Sequence, residues 1–193
     1  MAKVLANGLK IILPYIISDS QSAFVPKRQI IDNVLLAHVV VQFLKKKRAG
    51  KTGFMSIKLD MSKAYDRLEW DFLVQIMYKL GFNTKWINLV MRCVKTVSYS
   101  ILINGDPKGP IFPMRGLRQG DHLSPYLFLL STESLISLLH SAKQSHLITG
   151  VKICRGAPRL NHLLFADDSL GFCKATQQEN ENVHNLLEKY EHA

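Results

Sequence analysis

The chain has 193 residues, 47% of them hydrophobic and 21% charged, which is enough apolar material for one globular domain and excludes wholesale disorder. Lysine and arginine outnumber aspartate and glutamate by 25 to 15, and the formal charge of +10 points to a polyanionic partner such as nucleic acid. No apolar run reaches the ~20 residues that cross a bilayer, and the opening residues lack a signal-peptide core, so neither a membrane partner nor secretion is expected.

In chain order, residues 30–47 predict a helix, with Asp32 as a candidate N-cap and Lys45-Lys46-Lys47-Arg48 at its end. Residues 54–60 alternate apolar and polar, as a strand does. Residues 68–80 and 85–97 predict two helices separated at Gly81. Residues 99–105 read as a strand closing on an Asn-Gly turn, and Asp106-Pro107-Lys108-Gly109-Pro110 reads as its continuation. Residues 112–121 are irregular and rich in glycine and arginine, and residues 124–141 follow as an apolar helix with Pro125 in its first turn. Residues 150–154 and 160–165 predict paired strands around an Arg-Gly-Ala-Pro turn, and 169–173 a further strand. The last element is a helix over 176–190, with Thr176 and Glu179 spaced as a capping box. This order fits an α+β domain with helices packed on one face of an antiparallel sheet. Cys93, Cys154 and Cys173 are scattered without metal-ligand spacing, which favours a reducing, intracellular setting (nucleus or cytoplasm) and no zinc site.

The candidate chemistry lies in three carboxylates. Asp60 closes the predicted strand, and Asp167-Asp168 sits between two apolar stretches in Phe-Ala-Asp-Asp-Ser. Adjacent carboxylates repel, and a divalent cation relieves that cost. Alone, an Asp-Asp pair reads as a surface turn; the flanking strands and the second strand-end aspartate tip the balance towards metal. Strand alternation predicts that Asp167 faces Asp60 and that Asp168 lies nearer the periphery. Magnesium prefers a few carboxylates plus substrate phosphates, and two such ions suit an in-line phosphoryl transfer; manganese is a possible substitute.

The stretch Arg115-Gly-Leu-Arg118-Gln119-Gly120-Asp-His-Leu-Ser124-Pro125 adds two arginines that suit phosphates, an amide able to meet a base pair, and glycines that allow close backbone approach. Its plainer reading is a basic loop before a well-capped helix.

Together these segments resemble the reverse transcriptase domain of non-LTR (LINE-type) retrotransposons, especially those of plants. Lys58-Leu-Asp60-Met-Ser-Lys-Ala-Tyr65-Asp66-Arg-Leu-Glu-Trp70 looks like the first catalytic motif, Arg115 to Pro125 the next, and His162-Leu-Leu-Phe-Ala-Asp167-Asp168-Ser the metal-binding hairpin. Gln21-Ser-Ala-Phe24-Val-Pro-Lys-Arg28, followed by Asp32-Asn33, looks like the fingers motif. A group II intron maturase is a related palm enzyme, but Met-Ser-Lys-Ala-Tyr-Asp-Arg is closer to the LINE wording.

The resemblance implies a polymerase palm over residues 54–193 and a partial fingers segment over 1–53. It implies an RNA-directed DNA polymerase acting on an RNA template, a DNA primer and dNTPs with two magnesium ions. Asp60 and Asp167 would be metal ligands, with Asp168 as their companion. Tyr65 would lie under the sugar and exclude a 2′-hydroxyl, although a core aromatic is the plainer reading. Gln119 and Gly120 would lie near the nascent base pair. Arg28 would meet triphosphate or template, or else be a solvated helix-start arginine. Lys45 to Arg48 would touch nucleic-acid backbone or simply complement a helix end. His122 stands where the family usually has proline, Gly8 where it has arginine, and Gly171 where it has a bulky apolar residue. The upstream fingers and the thumb are expected to be missing, which predicts weak or no polymerization by the chain alone. The alternative is a catalytically dead remnant acting at most as a basic nucleic-acid-binding module.

Overall fold

A computed structural model describes residues 1–47 and 53–191. Its elements are α1 (Ala2–Ile16), α2 (Ile30–Lys46), β1 (Phe54–Asp60), α3 (Ala64–Arg67), α4 (Trp70–Lys79), α5 (Thr84–Lys95), β2 (Tyr99–Ile103), β3 (Asp106–Ile111), α6 (Ser124–Gln144), β4 (His162–Phe165), β5 (Asp168–Lys174) and α7 (Gln177–Glu191). The chain divides into two compact units. One comprises Met1–Ile12 and Lys63–Ser131, the other Leu13–Ser62 and Thr132–Ala193.

In the first unit, α4 buries Leu73, Ile76 and Met77, and α5 buries Ile87, Val90 and Met91. Each set has the spacing of one helical face, and the two helices pack as a hairpin turned at Gly81, whose φ is +84°. Asn83 caps α5 by accepting from the Lys85 backbone N–H at 2.9 Å, and Phe82 stacks on Trp86. The stretch expected to continue a turn after Gly105 is instead the strand β3, paired with β2 in a two-stranded ribbon. Every residue of both strands is exposed. An outer ribbon has free positions where Pro107 and Pro110 need donate no hydrogen bond, which is why two prolines do not abolish the strand.

The second unit holds a three-stranded antiparallel sheet in the order β1-β5-β4. Helices cover both of its faces rather than the expected one. Alternation makes this necessary, because β5 turns Phe172 to one side and Cys173 to the other, and both are buried. Phe172 packs with Ala37 and Val40 of α2 and with Leu163. Cys173 packs with Leu135, Leu139 and Ala142 of α6 and with Val183 and Leu186 of α7. The expected strand over 150–154 shrinks to a single bridge between Val151 and Leu160. A Cβ on Gly150 would lie 2.6 Å from the Leu160 carbonyl oxygen, so only a glycine admits this approach.

Two caps differ from expectation. Gln29, not Asp32, is the N-cap of α2, and it supplies no side-chain hydrogen bond. Thr176 does accept from Glu179 N–H at 3.3 Å, but Glu179 does not return the bond as a capping box would. Its Oε2 instead accepts from Lys174 N–H at 2.8 Å and Thr149 N–H at 2.9 Å, satisfying two donors that lie outside the helix. The helix α1 was not read from the sequence, although Leu5, Leu9 and Leu13 recur at helical spacing.

Candidate active site

The register of the sheet builds the site in the second unit. Asp60, the last residue of β1, lies directly opposite Asp168, the first residue of β5. Directly opposed residues share one face of a sheet, so these two carboxylates are cross-strand neighbours. The expectation that Asp167 faces Asp60 is therefore corrected. Ala166 and Asp167 form the two-residue turn between β4 and β5, and the ladder begins only at Asp168. Asp167 and Asp60 are exposed, and Asp168 is half-buried.

Lys58 precedes Asp60 by two residues and so shares its face. Its Nζ lies 3.1 Å from Asp168 Oδ1, short enough for a hydrogen bond though poorly aligned for one. That oxygen is shut off from solvent, while the rest of the Asp168 side chain is open. The contact with Asp168 holds the Lys58 ammonium above the ordinary lysine range, and the charges of Asp60 and Asp167 act in the same direction. An ammonium that senses all three carboxylates marks the place where a cation is favoured.

The donor set fits a hard divalent ion. It consists of carboxylate oxygens only, one of them buried without an aligned donor, and magnesium needs just a few such ligands plus phosphate and water. Among the described residues no three acidic, histidine or cysteine side chains form a ready-made cage.

The turn that carries Asp167 is held from behind. Gln21, wholly buried, accepts from Ala166 N–H at 3.1 Å and donates to the Ala166 carbonyl at 3.4 Å. Away from that turn, on β4, Asn33 donates to the carbonyls of Ser20 and Leu164, and Leu164 N–H donates to Ser20 O. No local period signalled the grip on the hairpin, since Gln21 and Ala166 lie 145 residues apart and Asn33 and Leu164 lie 131 apart.

Arg28 belongs to the same unit, but its guanidinium is occupied. It donates to the carbonyls of Ser18 at 2.6 Å, Ile17 at 2.8 Å and Gln21 at 2.9 Å, and pairs with Asp19 at 3.2 Å. These three carbonyls lie in the turn that follows α1, and a further bond at 3.4 Å reaches Pro14 O in its last turn, so Arg28 fastens the end of that helix with a guanidinium expected to meet a nucleotide. Lys45, Lys46 and Lys47 are exposed at the end of α2; Arg48 lies outside the described residues.

The remaining candidates lie in the first unit. Gly116, at φ +83°, sits so close to residues 65–66 that a Cβ would lie 2.8 Å from the Asp66 carbonyl oxygen. Gly116 N–H donates to Leu68 O and Leu117 N–H to Tyr65 O, both at 2.8 Å, while Trp70 Nε1 donates to Gly116 O. The two motifs at 60–70 and 115–125 are thus stitched together in this unit over residues 65–70 and 116–117. Tyr65 is half-buried and stacks on Phe128, with centroids 4.9 Å apart. Arg115 pairs with Glu69 at 3.1 Å on the surface. Arg118, Gln119 and Gly120 are exposed, and Gly120 has φ +84° with open space around it.

Residues 1–192 match the family profile described as reverse transcriptase (RNA-dependent DNA polymerase). The chain belongs to this family. Reverse transcriptases work with divalent metal ions, in keeping with the donor set above. Among curated relatives, the chain is 30% identical over 169 residues to the uncharacterized 149 kDa protein of transposon TX1 from Xenopus laevis, an alignment covering 87% of this chain and 12% of that protein. It is 25% identical over 137 residues to a retrovirus-related Pol polyprotein from a type-1 retrotransposable element R2 of Popillia japonica, covering 70% of this chain and 22% of the polyprotein. An uncharacterized mitochondrial protein of Arabidopsis thaliana is 53% identical over 68 residues, which is 35% of this chain and 56% of that one. The chain therefore matches only part of the length of each relative. Among solved structures, the reverse transcriptase fold is shared with a telomerase from Candida albicans, at a TM-score of 0.60 and 14% identity over 97% of this chain and 32% of the other. A telomerase from Candida tropicalis also gives a TM-score of 0.60, with 17% identity over 97% of this chain and 37% of the other.

Proposed function

We propose that this chain is the catalytic core of an RNA-directed DNA polymerase, adding deoxynucleotides to a primer 3′-hydroxyl opposite an RNA template. The reading is carried by one observation: Asp60 and Asp168 are opposed across β1 and β5, with Asp167 in the adjoining turn. Membership of the reverse transcriptase family supports nucleotidyl transfer as the reaction.

In this reading Asp60, Asp167 and Asp168 hold two magnesium ions. When bound, these supply Lewis-acid activation of the primer hydroxyl and neutralise charge on the triphosphate. The chain's own residues do the rest. Lys58 stands beside the three carboxylates, its Nζ 3.1 Å from Asp168 Oδ1. Lys58 balances their charge until substrate arrives. Tyr65, Gln119 and Gly120 are assigned to the nucleotide, because they fall at the family's motif positions. Tyr65 is stiffened by its stack on Phe128, which suits a ring that must exclude a 2′-hydroxyl. Arg118 is exposed, and the Arg115–Glu69 pair is an exposed one that opens at little cost, so both arginines are available to phosphates.

The test is primer extension on an RNA template with magnesium, paired with Mn²⁺ titration followed by electron paramagnetic resonance. Metal-dependent incorporation and Mn²⁺ binding are expected, and both should drop by at least ~100-fold and ~10-fold respectively in Asp60→Asn and Asp168→Asn. Salt-sensitive RNA binding with no Mn²⁺ binding and no incorporation would identify a basic binding module instead.

A further inference from the structure

The aspartates of the hairpin sit on a turn that the chain would not adopt cheaply by itself. Ala166 has φ +60°, a left-handed conformation that costs an alanine about 1 kcal/mol or more. Something must hold it there. Gln21 meets both polar groups of Ala166, with Oε1 accepting the N–H and Nε2 donating to the carbonyl. The same Oε1 accepts from Ala23 N–H at 3.0 Å, which fixes the amide in its own segment. Gln21 is fully buried, and its backbone bridges Leu164 in parallel register. The Gln21 end of these bonds is closed to solvent, so they act as directional restraints rather than surface contacts.

The geometry has a chemical consequence. The Ala166 carbonyl belongs to the peptide plane that joins Ala166 to Asp167. Holding that carbonyl fixes the plane, and the plane determines where the Asp167 backbone leads its side chain and where the Asp168 ladder begins. We infer that Gln21 is a positioning residue for the carboxylates, setting the Ala166–Asp167 turn in the orientation that lets Asp167 and Asp168 take up metal together. The inference rests on the polymerase reading above. It also assigns work to the Gln-Ser-Ala-Phe segment, whose first side chain points at the catalytic hairpin.

The test uses the full chain and Mn²⁺ alone as probe. Gln21→Met keeps the volume and removes all three hydrogen bonds. Asn33→Ala is the comparison, since Asn33 ties Ser20 to Leu164 without touching Ala166. Gln21→Met should weaken Mn²⁺ binding about tenfold in folded protein, while Asn33→Ala should lower the thermal midpoint and leave Mn²⁺ affinity near that of the parent. Equal Mn²⁺ affinity in parent and Gln21→Met would overturn the positioning role. So would an equal loss in both variants, which would mean general loosening. If Gln21→Met fails to fold, hydrogen exchange at the Ala166 amide of the unaltered chain decides. Strong protection is expected, and exchange as fast as an open turn would overturn the inference. Absence of Mn²⁺ binding in the parent would instead sink the reading on which it rests.

Discussion

Lys58 Nζ stands 3.1 Å from Asp168 Oδ1, on the strand face that also carries Asp60. The ammonium fills the place where the carboxylates favour positive charge. A metal arriving there must compete with it, and the competitor is tethered and always present.

Lys58→Met should therefore tighten Mn²⁺ binding, by roughly threefold to tenfold at low salt, because the rival charge is gone and the local potential becomes more negative. Calorimetric titration at two ionic strengths checks this, and the gain should shrink as salt rises. Unchanged or weaker binding would show that Lys58 supports the metal site rather than contesting it.

Several features of this arrangement were legible in the sequence, and for physical reasons. The alternation over 54–60 predicted β1 to its end residues, so Asp60 was correctly placed at a strand terminus. The pairing of that strand with the hairpin could be anticipated from the need to share a cation. Which aspartate of the tandem pair lies opposite Asp60 was not legible. It depends on whether the turn takes one residue or two, and Ala166 gives no warning of its left-handed backbone. The grip of Gln21 on that turn, and the use of Arg28 to close α1, are contacts between distant or oddly bent segments that no local period encodes.

His162 gives a pH prediction. Its Nε2 lies 2.9 Å from Ser20 Oγ, and its Nδ1 is buried without a partner. Burial first, and then the charges of Lys143 and His140, lower its pKa from the usual 6.5 to about 4. Between those values the unfolded chain binds a proton that the folded chain refuses. Stability from this group is thus fully present above pH 6.5 and is lost as pH falls towards about 4. The amount is on the order of 2–3 kcal/mol. Urea unfolding of the parent and of His162→Gln should show the difference between them shrinking by that much from pH 7 to pH 4. A constant difference would refute the claim.

The cysteines should separate by reactivity. Cys154 is exposed, whereas Cys173 is packed between the sheet and α6 and α7. Burial, and secondarily the nearby Glu179 carboxylate, push the Cys173 thiol up to about 11. With almost no thiolate and no access, it should alkylate at least ~100-fold more slowly than Cys154 at pH 8. N-ethylmaleimide labelling mapped by mass spectrometry measures both rates. Comparable rates would mean that the sheet opens readily at β5.

The two glycines of the arginine-bearing loop should behave differently when given the same methyl group. Gly116 and Gly120 have nearly the same backbone angle, φ +83° and +84°. At Gly120 the added Cβ meets nothing, so Gly120→Ala should cost only the left-handed strain, about 1 kcal/mol. At Gly116 the Cβ would meet the Asp66 carbonyl oxygen at 2.8 Å and crowd Tyr65 O at 3.1 Å. Neither neighbour is a flexible side-chain tip; both belong to the backbone that Gly116 N–H and Leu117 N–H are holding. Gly116→Ala should therefore cost about 3 kcal/mol or more, by forcing the loop off residues 65–68. Urea unfolding gives both values, and quenching of Trp70, whose Nε1 bonds to Gly116 O, reports the loop locally. Similar costs for the two variants would mean that the loop does not rest on the Tyr65 segment as described.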